Sequence, residues 1–354
     1  MRPDFLEIDA FPTPHREPPA LTALDRDAVR LALRGGSVVD WHTLAFRTYD
    51  DVNQFLRLWL CDPSEHIWAR ERVQYVYNQA VNYLEEHIGL TFRNEVRRPR
   101  DVRDAFLRAS MRERFSRDNI QYCAVIKLMH VINHLEMQEL RSQSAFREID
   151  LIGVANEKVL AAAEEMRNAC SLQAFYGNRK TRPSVITKLL AKRESTAATV
   201  YDKLRFRIVT ESREQIVPAL AWLFHNLVPF PAVIPGESVN SLLTLEEIEG
   251  VARTPAEAAV VGALSRANPD SGSVYRVINF IVDLPVRVYD VPGLTPPTHR
   301  ALLGEAVPVL VEFQVVDAES DARNEEGESR HEAYKERQRS RVYERLGRSP
   351  QSRR

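Results

Sequence analysis

Apolar residues recur every three or four positions through the first part of the chain, from about residue 26 to about residue 150. The segments that show this spacing most plainly are DDVNQFLRLWL, RVQYVYNQAVNYLEEHI and NIQYCAVIKLMHVINHLEMQELRSQ. Such spacing is typical of helices that bury one face. The sequence therefore predicts an all-helical N-terminal domain over residues 26–150, preceded by an irregular, proline-rich segment over residues 1–25.

The pattern becomes mixed after about residue 150. One more helix is predicted at NEKVLAAAEEMRNACSL, and three β-rich runs follow: LRFRIVT, VYRVINFIVDLPVRVYD and VPVLVEFQVVD. A helix, SREQIVPALAWLFHNL, separates the first two runs. This mixture predicts an α+β fold, with a mixed β-sheet flanked by helices over residues 151–317. Residues 231–271, which hold prolines, glycines and a short acidic helix, are interpreted as an excursion or flap.

The last part of the chain loses its apolar residues and gains charge. The sequence predicts a charged tail over residues 318–354, disordered or partly helical around RHEAYKERQRSRVYERL. The arginines of this tail could contact RNA or an acidic partner. A solvated tail without a partner is the simpler interpretation.

Composition narrows the class of protein. The chain has 354 residues, of which 44% are hydrophobic and 27% charged, and its formal net charge is −1. These values are typical of a globular protein of about two domains. A near-neutral charge argues against a protein that coats nucleic acid over its whole surface.

The cysteines and the apolar runs bear on location. Cys61, Cys123 and Cys170 lie far apart and form no CxxC pair, so neither a disulfide framework nor a zinc knuckle is expected. No apolar run approaches the roughly 18 residues of a membrane span. The N-terminus has acidic residues and prolines where a signal peptide needs an apolar stretch. We therefore expect a reducing, cytoplasmic location and no membrane partner.

The stretch YGNRKTRPSVITKLL is a candidate phosphate site. After Gly177, the residues Lys180, Ser184 and Lys188 follow at intervals of four, and Pro183 stands where the first turn of a helix accepts proline. The start of a helix flanked by lysines favours phosphate oxygens. The GxxxxGK[ST] pattern is absent. An ordinary basic surface helix remains the alternative.

The run YDKLRFRIV predicts a strand with two unlike faces, and Asp202 stands at its start. A carboxylate there can reach solvent, a cation or a metal, although a simple strand-capping role is the alternative. Alternation places an apolar set on one face and a basic set on the other: Leu204, Phe206 and Ile208 on the first, Lys203, Arg205 and Arg207 on the second.

Two polar residues, Glu312 and Gln314, interrupt the middle of VPVLVEFQVVD. The opposite face of this strand is apolar: Val309, Val311, Phe313 and Val315. Polar groups in the centre of a buried strand need partners. If their face opens into a cleft, Glu312 could hold Mg²⁺; otherwise the pattern marks a half-exposed sheet face.

An aromatic residue stands at the start of SGSVYRVINFIV. Tyr275 shares strand parity with Asn279 and follows glycine and serine. In that position it could stack against a nucleobase. An ordinary strand aromatic is the alternative.

In this order the four stretches resemble the synthetase domain of the RelA/SpoT alarmone (ppGpp) synthetases, within the nucleotidyltransferase superfamily. That family shows GRxKxxxSIxxK, a DLxxxR strand, YxSLH and ExQ on a late strand. Here GNRKTRPSVITK, DKLRFR, YRVIN and EFQ keep most of the polar positions. The resemblance covers about residues 150–317. Asn178 stands in place of an arginine of the family, Val277 in place of a serine and Asn279 in place of a histidine.

The resemblance implies a nucleotidyltransferase-like fold and pyrophosphoryl transfer. The β,γ-diphosphate of ATP would move to a ribose 3′-hydroxyl of GDP, GTP or a related acceptor, with Mg²⁺ as cofactor. Asp202 and Glu312 would be catalytic and hold the metal. The remaining implied roles are nucleotide binding: Lys180, Lys188 and Arg207 would neutralise the triphosphate, Ser184 would donate a hydrogen bond to it, and Tyr275 would stack the acceptor base with Gln314 in support.

Two other functions stay open: a catalytically inactive nucleotide sensor or scaffold with the same fold, and a pyrophosphokinase that acts on an RNA 3′ end. A metal site is a further alternative in the helical domain, where His130 and His134 lie four apart near Cys123 and Glu136. The HExxH pattern is absent, and buried core histidines fit the apolar surroundings better. The predicted helical domain lacks the His-Asp pair with which the hydrolase domain of the resembled family binds metal. We therefore expect no alarmone hydrolase activity.

Overall fold

The computed structural model describes residues 6–8, 17, 20–34, 44–110, 117–144, 146–179, 182–191, 204–244, 247–248, 275–291, 300–324, 339–344 and 346. The helices are α1 Ala23–Arg34, α2 Tyr49–Leu58, α3 Ile67–Glu86, α4 Asn94–Arg97, α5 Val102–Ala109, α6 Arg117–Gln143, α7 Glu148–Ala169, α8 Arg182–Ala191, α9 Ile216–Asn226, α10 Arg300–Leu303 and α11 Ala318–Asn324. The strands are β1 Leu6–Ile8, β2 Leu172–Arg179, β3 Leu204–Thr210, β4 Val239–Asn240, β5 Ile278–Arg287 and β6 Ala306–Asp317.

The described residues between 26 and 150 form helices joined by short loops and include no strand, which agrees with the predicted helical pattern. Local signals explain the starts of two helices. Thr48 and Asp51 form a capping box at the start of α2, and Asp101 accepts a hydrogen bond from the amide of Arg103 at the start of α5. Inside the bundle Tyr77 is fully buried and its hydroxyl donates to the carbonyl oxygen of Val96 at 2.5 Å. None of the helices in the described ranges is long and apolar enough to cross a membrane.

The described strands form one mixed sheet in the order β1-β2-β3-β6-β5-β4. Neighbouring strands are antiparallel except for β3 and β6, which run parallel at the centre. Together with the helices, this sheet makes the fold α+β, as the sequence predicts. The register places Arg205 opposite Glu312, and it places Gln314 between Arg207 and Asn279. Because side chains alternate along a strand, all five project from the same side of the sheet.

The opposite side of the sheet is the apolar one. The rings of Phe206, Phe313 and Phe280 stack across β3, β6 and β5, with centroids 5.8 and 5.7 Å apart. Helices α7 and α9 cover this side, and Phe224 of α9 packs 5.4 Å from Phe280. Burying each such ring contributes about 2 kcal/mol. This burial fixes which side of each strand faces the core, and therefore which residues are left for the other side.

The other side, here called the polar face, carries Arg205, Arg207, Asn279, Glu312 and Gln314. Two helices contact its ends. At one end Nη1 of Arg141 in α6 donates to the carbonyl oxygen of Pro308 at 2.6 Å. At the other end Asp321 of α11 contacts Arg207.

The structure differs from the sequence prediction in four segments, of which one is the two-residue strand β4 within residues 231–271. Strand β1 lies within residues 1–25, which the composition suggested to be irregular, and it is held by pairing with β2. Strand β2 itself was not predicted. Residues 318–324, assigned to a solvated tail, form α11, in which Asn324 is buried.

The helices of the first part and the sheet share one apolar cluster. Val29 of α1 and Leu220 of α9 both belong to it, as do Tyr77 of α3 and Phe280 of β5. Helix α1 packs directly against α9. The division of the chain at residue 150 into two domains remains a prediction, but the buried core of the described residues continues across it.

Candidate functional site

Glu312 lies at the centre of the polar face and is only 5% exposed. Its two carboxylate oxygens have different partners. Nε of Arg205 donates to Oε2 at 2.8 Å, and Nε2 of Gln314 donates to Oε1 at 3.2 Å. A buried carboxylate is tolerated when it is paired and hydrogen-bonded in this way. The sheet therefore keeps a carboxylate in its interior, next to a guanidinium that still reaches solvent.

Arg207 is the second charged residue of the face and is 8% exposed. Its Nη1 donates to the Tyr275 hydroxyl at 3.1 Å and to Oε1 of Gln314 at 3.4 Å, and its Nη2 lies 2.5 Å from Oδ1 of Asp321. Burial lowers the pKa of Arg207, but Tyr275 and Asp321 outweigh it and raise that pKa above its ordinary value. The guanidinium is therefore a fixed positive charge.

Two buried polar atoms on this face have neither a hydrogen-bond nor an ion-pair partner among the described residues: Nε of Arg207 and Oδ1 of Asn279. Asn279 and Arg207 are the two register neighbours of Gln314, so the two atoms belong to positions on either side of Gln314. Buried donors and acceptors rarely stay unpaired. The unpaired donor and the unpaired acceptor that flank Gln314 are groups whose hydrogen bonds a polar ligand, or water, would complete.

The structure brings together four of the predicted site residues: Arg207, Tyr275, Glu312 and Gln314. Arg205 and Asp321 join them, and neither was assigned a role from the sequence. Arg205 could have been found from the sequence, because it lies on the same face of the predicted strand as Arg207. Nothing in the sequence pattern pointed to Asp321.

The other predicted site residues are placed only in part. Asp202 and Lys180 lie outside the described residues. Helix α8 begins at Arg182, so Pro183 falls in its first turn as predicted, and Ser184 is exposed there. Lys188 belongs to the same helix, but its side chain is outside the described part.

A divalent metal ion needs more oxygen ligands than the described part of this face offers. No group of three or more histidine, cysteine, aspartate or glutamate side chains converges among the described residues. Glu312 supplies one carboxylate, and that carboxylate is held by Arg205 and Gln314. The described residues alone therefore do not form a Mg²⁺ site, and the expectation of Mg²⁺ depends on Asp202.

His130 of α6 fits the core interpretation better than the metal interpretation, whereas His134 is partly exposed and its Nε2 lies 3.6 Å from Oδ2 of Asp283. His130 packs against Trp59 with ring centroids 5.6 Å apart, and burial together with His134 lowers the pKa of His130 to about 4. Cys123 and Glu136 point to other partners: Sγ of Cys123 to the carbonyl oxygen of Ala109, and Glu136 to Arg72. The four side chains do not share a ligand position.

No protein-family model matches the chain, and no curated protein matches it. Among solved structures, the chain is similar to two crystal structures of the small alarmone synthetase 1 from Bacillus subtilis. One is 13% identical with a TM-score of 0.30, and the alignment covers 55% of this chain and 85% of that chain. The other, bound to its product pppGpp, is 14% identical with a TM-score of 0.27, and the coverage is 62% and 90%. At such low identities and TM-scores, the relation of this chain to the alarmone synthetases is a proposal.

Proposed function

We propose that the polar face binds nucleotides and transfers the β,γ-diphosphate of ATP to a ribose 3′-hydroxyl, with GDP, GTP or a related nucleotide as acceptor. The observation that carries this proposal is the buried array of Arg207, Gln314 and Glu312 beside Tyr275. It combines a fixed positive charge, a carboxylate and an aromatic ring. These elements suit pyrophosphoryl transfer, which depends on positioning the substrates and on neutralising charge.

Each residue has a role in this proposal. Arg207 neutralises phosphate oxygens, and Tyr275 stacks the acceptor base with Gln314 in support. From the part of the chain before β3, Lys180, Ser184 and Lys188 contact the triphosphate. Asp202 and Glu312 would hold Mg²⁺, which would supply neutralisation of the phosphate oxygens.

Glu312 also accepts a proton. As the 3′-oxygen of the acceptor bonds to the β-phosphorus of ATP, the bond from that phosphorus to the α,β-bridging oxygen breaks and AMP leaves with the electron pair. The hydroxyl proton moves to the carboxylate of Glu312. Before Glu312 can accept this proton, Arg205 has to release Oε2 of Glu312. The side chain of Arg205 is partly exposed, so its guanidinium can move into solvent.

The test is transfer of label from γ-labelled ATP, in the presence of Mg²⁺, to GDP, GTP or bulk tRNA. The Glu312→Gln variant keeps the size of the side chain and is expected to lower the rate by at least about 100-fold. Glu319→Gln makes the same change on the exposed side of α11 and is expected to leave the rate unchanged. Transfer that survives in Glu312→Gln would remove this residue from the reaction, and transfer to tRNA alone would identify an RNA 3′ end as the acceptor.

A second candidate function, a nucleotide sensor or scaffold without catalysis, is supported by one observation. Glu312 and Arg207 are both engaged in internal ion pairs, with Arg205 and Asp321. A face stabilised by its own partners can bind a ligand without reacting with it. In that case nucleotide binding is found by calorimetry, and no label is transferred to any acceptor.

A further inference from the structure

The described part of helix α11 is too short to hold its place alone. It spans seven residues and starts directly after β6, where Oδ1 of Asp317 accepts a hydrogen bond from the amide of Ser320 at 2.9 Å. Isolated helices shorter than about 12 residues are marginal in water. Its position over the polar face must therefore come from contacts with the rest of the protein.

Two polar contacts supply that position. Near the middle of the helix, Asp321 pairs with Arg207 of β3. At its end, Asn324 is 2% exposed and its side chain holds the backbone of Arg276: the amide of Arg276 donates to Oδ1 at 2.9 Å, and Nδ2 donates to the carbonyl oxygen at 2.7 Å. Arg276 directly follows Tyr275. The helix is therefore tied to both sides of the candidate site.

The contact between Asp321 and Arg207 is close but incomplete. Nη2 of Arg207 and Oδ1 of Asp321 form an ion pair at 2.5 Å, whereas Nε of Arg207 has no partner in the described part of the chain. A carboxylate that binds arginine through two parallel hydrogen bonds is the stronger arrangement. The carboxylate of Asp321 thus pairs with the guanidinium of Arg207 but leaves one of the guanidinium donors, Nε, without a partner among the described residues.

We infer that α11 is an autoinhibitory strap. The carboxylate of Asp321 occupies the anion-binding position of Arg207, and a phosphate group displaces it and loosens the helix. The inference rests on the proposed function in one respect, that Arg207 binds phosphate, and it adds that the site is closed by the chain itself before the ligand arrives.

The test uses inorganic pyrophosphate, a probe without base or ribose, in Mg²⁺-free buffer, with affinity measured by calorimetry on the full chain. Asp321→Asn keeps the shape of the side chain and is expected to bind about tenfold more tightly than the unmodified protein, since no competing carboxylate remains. Asn324→Ala frees the end of the strap without touching Arg207, and it is expected to bind more tightly as well. Glu319→Gln on the exposed side of α11 changes net charge equally and is expected to have no effect.

Hydrogen exchange gives an independent measurement. Pyrophosphate is expected to speed exchange of the amides of residues 318–324 in the unmodified protein, because the strap is released. Equal affinities of Asp321→Asn and Glu319→Gln, slower exchange of the strap on binding, or no binding by any variant would each overturn the inference. Tighter binding by Asp321→Asn without label transfer from ATP would keep the strap and reject the transferase. Label transfer with unchanged pyrophosphate affinity would do the opposite.

Discussion

Arg205 and Glu312 form an ion pair across two neighbouring parallel strands, although the two residues lie 107 positions apart in the chain. The two partners are unequally buried: the side chain of Arg205 is 25% exposed and that of Glu312 only 6%. Removing one partner therefore has a different consequence from removing the other.

For this pair we predict an asymmetric effect on stability. Arg205→Gln leaves a charged carboxylate in the sheet and is expected to lower the free energy of unfolding by about 3 kcal/mol. Glu312→Gln leaves a guanidinium that reaches water and is expected to cost about 1 kcal/mol. Urea unfolding of both variants and of the double variant measures the two costs and their coupling. A larger cost for Glu312→Gln, or additive costs, would contradict the described pairing.

The role proposed for Tyr275 depends on its ring and not on its hydroxyl, so substitutions that remove one or the other are expected to differ in effect. Tyr275→Phe loses the 3.1 Å hydrogen bond from Arg207 but keeps the ring, so GTP affinity is expected to change little. Tyr275→Ala loses the stacking surface and is expected to weaken GTP binding by about tenfold or more. Calorimetry on the two variants measures the difference. If phenylalanine weakens binding as much as alanine does, the hydroxyl and not the ring is the part that matters.

The buried ion pair of the helical part is expected to be important for stability. Arg72 of α3 is 3% exposed, and its Nη2 lies 2.5 Å from Oε2 of Glu136 in α6. Glu136→Gln leaves the buried guanidinium without its counter-charge and is expected to cost about 3 kcal/mol of unfolding free energy. Glu139→Gln, on the exposed side of the same helix, is the matched control and is expected to cost less than about 0.5 kcal/mol. Equal denaturation midpoints for the two variants would refute this expectation.

The contact between α1 and α9 is expected to depend on pH. Nδ1 of His225 lies 3.3 Å from Oδ1 of Asp25, and this contact raises the pKa of His225. Because the folded-state pKa is raised, the stabilisation is fully present below the ordinary histidine value and is lost as pH rises through the raised value. Burial raises the pKa of Asp25, but His225 and Thr22 outweigh it and lower that pKa, so the pair persists in mild acid.

The measurement for this pair is the melting temperature of the unmodified protein and of His225→Gln at several pH values. The unmodified protein is expected to exceed the variant by more at about pH 5.5 than at about pH 8.5. A difference that is constant over this range would show that the histidine charge does not contribute.

The strands that the sequence predicts share one property, a clear alternation. Phe206 and Phe313 face the core while Arg207 and Glu312 face away, and the structure confirms that division in β3 and β6. The same alternation separated Arg207 from the apolar residues of its own strand, and Glu312 and Gln314 from those of theirs. Alternation does not predict the order in which the strands pair or the parallel register of β3 with β6, because these depend on which strands distant in the chain come together.

The segments that were missed lack that signal for physical reasons. In β2 the register shifts between Leu172 and Ala174, so Leu172, Ala174 and Phe175 are all buried and the alternation is broken. Strand β1 has three residues, too few to show a period. Helix α11 is mostly polar, and its place depends on Asp321 and Asn324 meeting residues far away in the chain. Composition cannot reveal such contacts.

The central pairing of β3 with β6 has a consequence for synthesis. Because residues 205 and 312 are 107 positions apart, a growing chain carries β3 with one unpaired edge while the intervening residues are made. At ordinary translation speeds that interval lasts roughly 5–20 seconds. An unpaired strand edge attracts other chains. A nascent chain is therefore exposed to aggregation at β3 until β6 emerges, and it is β6 that brings Glu312 and Gln314 to the polar face.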